Sequence, residues 1–177
     1  MTPPYRNLLL GGGHDHRKKM HHRTEPDWQG ELIVLDMNPN CGADVIWDME
    51  DRPLPFPDAH FDEIHAYDCL EHWGRQGDWR GWFDEAAEYH RLLKPGGTMS
   101  IVVPMGADYF ADPGHTRFFE PNHFRFLNQA WYEERLAAGA QITDYRWYWK
   151  LDFEVPYVHQ MGDPVHHLAV LLRKPGA

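Results

Sequence analysis

Apolar residues along this chain come in short runs that each stop at a glycine, a proline or an acid, which is the pattern of buried strands running into loops. Arg6 to Leu10 stops at Gly11-Gly12-Gly13, as a parallel strand does when it gives way to a tight loop near a ligand. Glu31 to Asp36 (ELIVLD) is a second strand, followed by the turn-forming Asn38-Pro39-Asn40. Asp44 to Trp47 and Glu63 to Tyr67 are the third and fourth, with Asp48 and Asp68 beyond their ends and a proline-rich loop between them. Thr98 to Val103 is a fifth and His166 to Arg173 closes the chain. From Tyr145 to Tyr157 every odd position is apolar or aromatic, which predicts a one-sided strand. At about 40 Å if straight, that strand calls for a bulge, a bend or an extension beyond the sheet.

Two stretches carry a helical stripe instead. Trp79, Trp82, Phe83, Ala86, Tyr89 and Leu93 recur at three- and four-residue spacing, with Asp78 as the cap and Pro95-Gly96-Gly97 as the stop. Pro121 opens a second helix with Phe124, Leu127, Trp131 and Ala138 on one face and Gly139 at its end. Between the first two strands, residues 14–30 have almost no apolar periodicity, so the helix expected behind the glycine loop is short or missing and a polar excursion replaces it. Strands alternating with helices predict one α/β domain over residues 1–177.

Composition narrows the partners. A net charge of −10 works against nonspecific binding to nucleic acid or an anionic membrane, which needs clustered Lys and Arg. No apolar run approaches the length of a membrane span, and the first residues lack the basic start and apolar stretch of a signal peptide, so a cytoplasmic protein is expected. Two cysteines imply no disulfide framework. Eight tryptophans point to aromatic packing or a ligand face, and a homodimer through the Tyr145 to Tyr157 strand is one use for it.

In an open α/β sheet, ligands gather outside the carboxyl ends of the strands, and here those ends carry acids. Leu8 to Gly13 (LLLGGG), Leu35-Asp36, Asp48-Met49, the run LPFPDAHFDEIHAYDCLEH and the passage EYHRLLKPGGTMSIVVP resemble the class I S-adenosylmethionine-dependent methyltransferases, in a small methyltransferase-domain branch associated with glycan and cell-surface biosynthesis. The resemblance implies a Rossmann-like fold: a seven-stranded, mostly parallel sheet with helices on both faces and the last strand antiparallel. It also implies S-adenosyl-L-methionine as cofactor and a small-molecule or glycan methyl acceptor. Gly11 and Gly13 would cup the methionine part, Asp36 would meet the ribose, Asp48 and Met49 the adenine, Asp68 and Cys69 would flank the sulfonium, and Met37 is a further cofactor-binding candidate. The likeness departs from the family at Leu9, where an acid or Asn is usual, and at Asp15, which replaces a third glycine. An inactive binding or scaffold protein on the same fold is the alternative.

Each site residue has a plainer reading: the aspartates as turn or helix caps, the glycines as a turn. His115, in the loop Gly114 to Phe119 after the fifth strand, and His72 are the catalytic candidates; loop ordering is the competing role for both, and for Glu71. Thirteen histidines include His14-x-His16, His21-His22 and His166-His167, but no CxxC or HExxH occurs, so no metal is expected.

Overall fold

The computed structural model describes residues 4–20 and 27–176. Its seven strands are β1 (Arg6–Leu10), β2 (Glu31–Asp36), β3 (Val45–Ile46), β4 (Phe61–Tyr67), β5 (Leu93–Pro104), β6 (Glu154–Met161) and β7 (His167–Arg173). They form one sheet in the order β3-β2-β1-β4-β5-β7-β6, parallel except at β7, which runs antiparallel to both of its neighbours. The register places Leu8 opposite both Ile33 and Ile64, so the run Leu8 to Leu10 lies at the centre of the sheet and is at most 1% exposed.

Side-chain alternation splits this sheet into two different faces. On the first, Leu8, Leu10, Leu35, Ile64, Ala66, Met99, Ile101 and Val170 form the main core with α1 (Trp79–Leu92). Asp78 caps α1 as expected, accepting from the Gly81 amide at 3.0 Å, and Trp82, Phe83, Ala86 and Tyr89 are its buried stripe. A short α2 (Gly106–Tyr109) buries none of its residues. The expected helix from Pro121 is two, α3 (Pro121–Arg125) and α4 (Gln129–Ala137). The break has a cause: Asn128 caps α4 by accepting from the Trp131 amide, while the Leu127 carbonyl is taken by the Trp149 indole and the Phe153 amide.

The second face departs from the expected arrangement. Its smaller cluster of Leu9, Val34, Tyr67, Val102 and Ala169 has no helix residue packed on it among the described residues; Met20 and Trp28 pack there instead. Among the described residues the helices therefore pack on the first face. What holds the described parts of this strap is a buried polar network. The Lys18 ammonium, 3% exposed, lies 3.1 Å from Glu63, whose carboxylate also meets His65 at 2.9 Å and accepts from the Tyr5 hydroxyl at 2.6 Å. Trp28 sets its ring edge-to-face on His65 and donates to the His16 carbonyl. A buried charge is tolerated only when paired and hydrogen-bonded, and here the pairing substitutes for a packed helical stripe.

The predicted strand Tyr145 to Tyr157 is also corrected. Residues 145–153 form no strand, and β6 begins at Glu154. The aromatic alternation there packs against α1: Tyr145 lies 5.1 Å from Trp79 and Trp149 stacks on Phe83 at 5.6 Å. Gln129 donates to the carbonyls of Trp149 and Leu151, so this backbone finds side-chain partners in place of a neighbouring strand. Trp149 and Phe153 are buried, whereas Trp147 is 62% exposed.

Candidate functional site

The carboxyl ends of β1, β2 and β4 meet at the glycine loop. Gly11 has φ +58, and a Cβ there would lie 2.5 Å from the Cβ of Cys69 and 3.3 Å from the Trp73 ring. Only glycine allows that approach. Gly13 is also left-handed, at φ +52, but a Cβ on it would meet nothing within 4 Å, so this glycine faces open space. Its amide donates to Asp36 Oδ2 at 2.8 Å, while Asp36 Oδ1 accepts from the Asn38 amide at 2.8 Å. Asp36 thus joins the loop after β1 to the turn after β2, and each of its oxygens keeps a lone pair.

Around this centre the other expected residues divide. Met37 stands 59% exposed at the end of β2, while Met49 turns its side chain into the core. Asp48 accepts from the Glu50 amide at 2.9 Å, a cap within its own turn. The Trp47 amide bonds the Asp36 carbonyl at 3.0 Å and Glu50 accepts from Gly74, so residues 47–50 bridge the end of β2 to the turn after β4. Asp68 is left-handed at φ 52, a conformation Asp tolerates better than most, and turns the chain sharply out of β4. Its carboxylate lies 3.1 Å from His167 Nε2 and 3.5 Å from Lys19, two partners that sequence spacing did not indicate. Beyond Asp68 opens a cavity of about 720 Å³ lined by Lys19, Val102, Tyr157, Met161 and His167. A smaller one of about 270 Å³, between Trp79, Trp82, Phe126 and Tyr145, lies away from the strand ends.

Cys69 is buried against Gly11 and donates to the Leu10 carbonyl at 3.3 Å. Burial, with the charge of Glu71 adding to it, pushes its thiol well above the usual range, which favours the protonated thiol in a packing role. A 3-10 turn, Leu70–His72, follows. The Glu71 carbonyl accepts from the amides of Thr116 and Arg117 at 2.8 and 3.1 Å, and Arg117 donates to the Leu70 carbonyl and pairs with Glu85 of α1 at 2.8 Å. These contacts bring His115 beside His72, ring centroids 4.6 Å apart. The loop tie that was one reading of Glu71 and His72 is made by the Glu71 backbone. The Glu71 side chain is 1% exposed, both of its oxygens lack a hydrogen-bond partner, and burial pushes its carboxyl up to about 8. The one sequence signal for this arrangement was Glu85, an acid inside the apolar stripe of α1.

Of the histidines singled out along the chain, His14 is exposed and His166 lies 3.9 Å from Asp108. His21-His22 fall outside the described residues. No helix of the described residues is long and apolar enough to cross a membrane.

Comparison with known proteins agrees with this geometry. Residues 31–101 match the family described as a methyltransferase domain. No curated protein sequence matches. A SAM-dependent methyltransferase from Archaeoglobus fulgidus superposes with a TM-score of 0.59 at 13% identity, covering 96% of this chain and 86% of its own. The N-methyltransferase NodS from Bradyrhizobium japonicum gives 0.56 at 13% identity, covering 97% and 86%. The [4+2]-cyclase SpnF gives 0.56 at 14% identity, covering 98% and 75%, so the shared fold does not by itself set the reaction. By its strand order and these superpositions the chain has the Rossmann-like class I methyltransferase fold, and residues 31–101 are similar to the methyltransferase domain family.

Proposed function

We propose that the chain transfers a methyl group from S-adenosylmethionine to an oxygen or nitrogen of a small-molecule or glycan acceptor. The observation that carries this reading is the junction of Gly11, Gly13, Asp36 and Cys69 at the carboxyl ends of β1, β2 and β4. The residues present fit the cofactor. Gly13 leaves open space for it, and the free lone pairs of Asp36 suit a ribose diol. Asp48 can accept from the adenine amino group, with Met37 and the Met49 backbone beside the ring, and Asp68 with Cys69 closes the sulfonium end. Bound there, the cofactor supplies an electrophilic methyl carbon. The chain's own work is to orient it, exclude water and hold the acceptor in line. His115 and His72 are the candidate groups to meet the acceptor, and the cavity beyond Asp68, lined by other residues, is of a size that takes a small ligand, with Tyr157 as an aromatic wall.

Calorimetry with S-adenosylmethionine and S-adenosylhomocysteine, followed by methyl-donor turnover over a panel of acceptors, tests the proposal. Asp36→Ala should weaken S-adenosylhomocysteine by about 1.5–3 kcal/mol, the scale of hydrogen bonds to a charged group. Unchanged affinity would remove the ribose assignment. A second reading, a cofactor-binding scaffold without turnover, draws on the lack of a helix among the described residues behind the glycine loop and on the backbone amides already held by Asp36. Binding without turnover across the panel would favour it.

A further inference from the structure

The Glu71 carboxylate is the outlier of this molecule: almost wholly buried, with neither oxygen hydrogen-bonded. Carboxylates in that situation are normally paired or bound to a cation. We propose that Glu71, His72 and His115 form a binding site for one divalent transition-metal ion of the zinc class. A ligand atom from each of the three lies within 4.8 Å of the other two. His115 Nδ1 sits 2.6 Å from the Tyr109 carbonyl, so it donates there and leaves the Nε2 lone pair free, 3.7 Å from Glu71 Oε1. That is the support metal-ligating histidines usually have: one nitrogen held by a carbonyl, the other facing the ion. Gly114 keeps the approach to His72 clear, since a Cβ there would stand 3.1 Å from His72 Nδ1. The frame is rigid where it matters, because the Thr116 and Arg117 amides hold the Glu71 carbonyl and the buried Arg117–Glu85 pair anchors the loop to α1.

Bond lengths near 2.1 Å require donors roughly 3–3.5 Å apart, so side-chain closure of about 1 Å completes the site. Two imidazoles and a carboxylate suit zinc, iron or nickel over magnesium or calcium, and three protein donors leave positions open to an outside ligand. Sequence spacing missed this site because Glu71 and His72 are adjacent while His115 comes from another loop. A consequence, resting on the proposed methyl transfer, is that the acceptor offers an oxygen to the ion, so that the two histidines act through the metal in place of taking a proton directly.

The test uses untagged full-length protein stripped with chelator and titrated with Zn²⁺ by calorimetry and with Co²⁺ by visible absorption. Wild type should bind one equivalent, and Glu71→Gln and His115→Asn should each weaken it by about 100-fold while leaving the far-ultraviolet circular dichroism and S-adenosylhomocysteine binding unchanged. The double variant His166→Asn/His167→Asn, which disables the exposed cluster with Asp108, should bind as wild type does. The proposal is overturned if wild type shows no saturable binding, if Glu71→Gln and His115→Asn bind equally well, or if only the double variant loses the ion. Because metal binding is read without turnover, failure of the methyl-transfer reading leaves this result intact.

Discussion

Gly11 and Gly13 share a left-handed backbone but answer to different constraints. A methyl group on Gly11 would overlap Cys69 at the point where the β1 loop touches the turn after β4, so Gly11→Ala should cost about 2–4 kcal/mol through strain and overpacking, measured by denaturant unfolding. Gly13→Ala meets no atom and should cost only about 1 kcal/mol in stability, while weakening S-adenosylhomocysteine binding by filling the space proposed for the cofactor. If the two variants lose stability equally, the contact with Cys69 is not the reason for glycine at position 11. Both were legible as loop glycines, but their different reasons were not, since Cys69 approaches from the turn after β4, 58 residues downstream of Gly11.

Among the elements, the strap over the second face is the least conventional. Lys18 lies in a stretch that looks merely polar, yet its ammonium is buried against Glu63, so Lys18→Met should destabilise by about 3 kcal/mol by taking the cation from a buried carboxylate that keeps only its contacts to neighbours such as His65 and Tyr5. Adding Glu63→Gln should recover part of that loss. A Lys18→Met change within a few tenths of a kcal/mol of neutral would show that the strap rests on Trp28 and Met20 alone. Elsewhere local signals were reliable when the element makes its own hydrogen bonds: α1 begins one residue after its predicted cap and ends one residue before the predicted Leu93. The stretch Tyr145 to Phe153 failed because periodicity reports which side chains are apolar, not what they pack on. Its rings lie against α1 and its carbonyls are held by Gln129.

For the whole molecule, stability should depend on pH through histidines kept neutral by folding. Burial, with the charge of Lys174 adding to it, lowers His90 from 6.5 to about 4 at the end of α1. His60 and His123 are lowered as well, chiefly by burial. Between pH 6.5 and 4 the unfolded chain takes up protons at these sites and the folded chain resists them, so the histidine contribution is full above pH 6.5 and falls as the pH drops toward 4, while Glu71, raised to about 8, contributes with the opposite sign between pH 8 and 4.5. Thermal unfolding of wild type and His90→Leu across that window should show the wild type losing stability relative to the variant as the pH drops. An identical slope in the variant would remove His90 as a contributor.

The sequence by itself determined the centres of six of the seven strands, the cap of α1, the glycine loop and the acids at the strand ends, because each is written in a few adjacent residues by hydrophobic period or turn chemistry. Tertiary structure alone decided the rest. The order of the strands, the packing of Met20 and Trp28 on the second face, the position of β6 and the meeting of Glu71, His72 and His115 depend on contacts between residues outside one another's local sequence, from 10 positions apart for Leu35 and Val45 to 44 for Glu71 and His115. Those contacts are set by which face of the sheet each side chain enters and by which buried polar groups can find a partner there, and no local pattern records either.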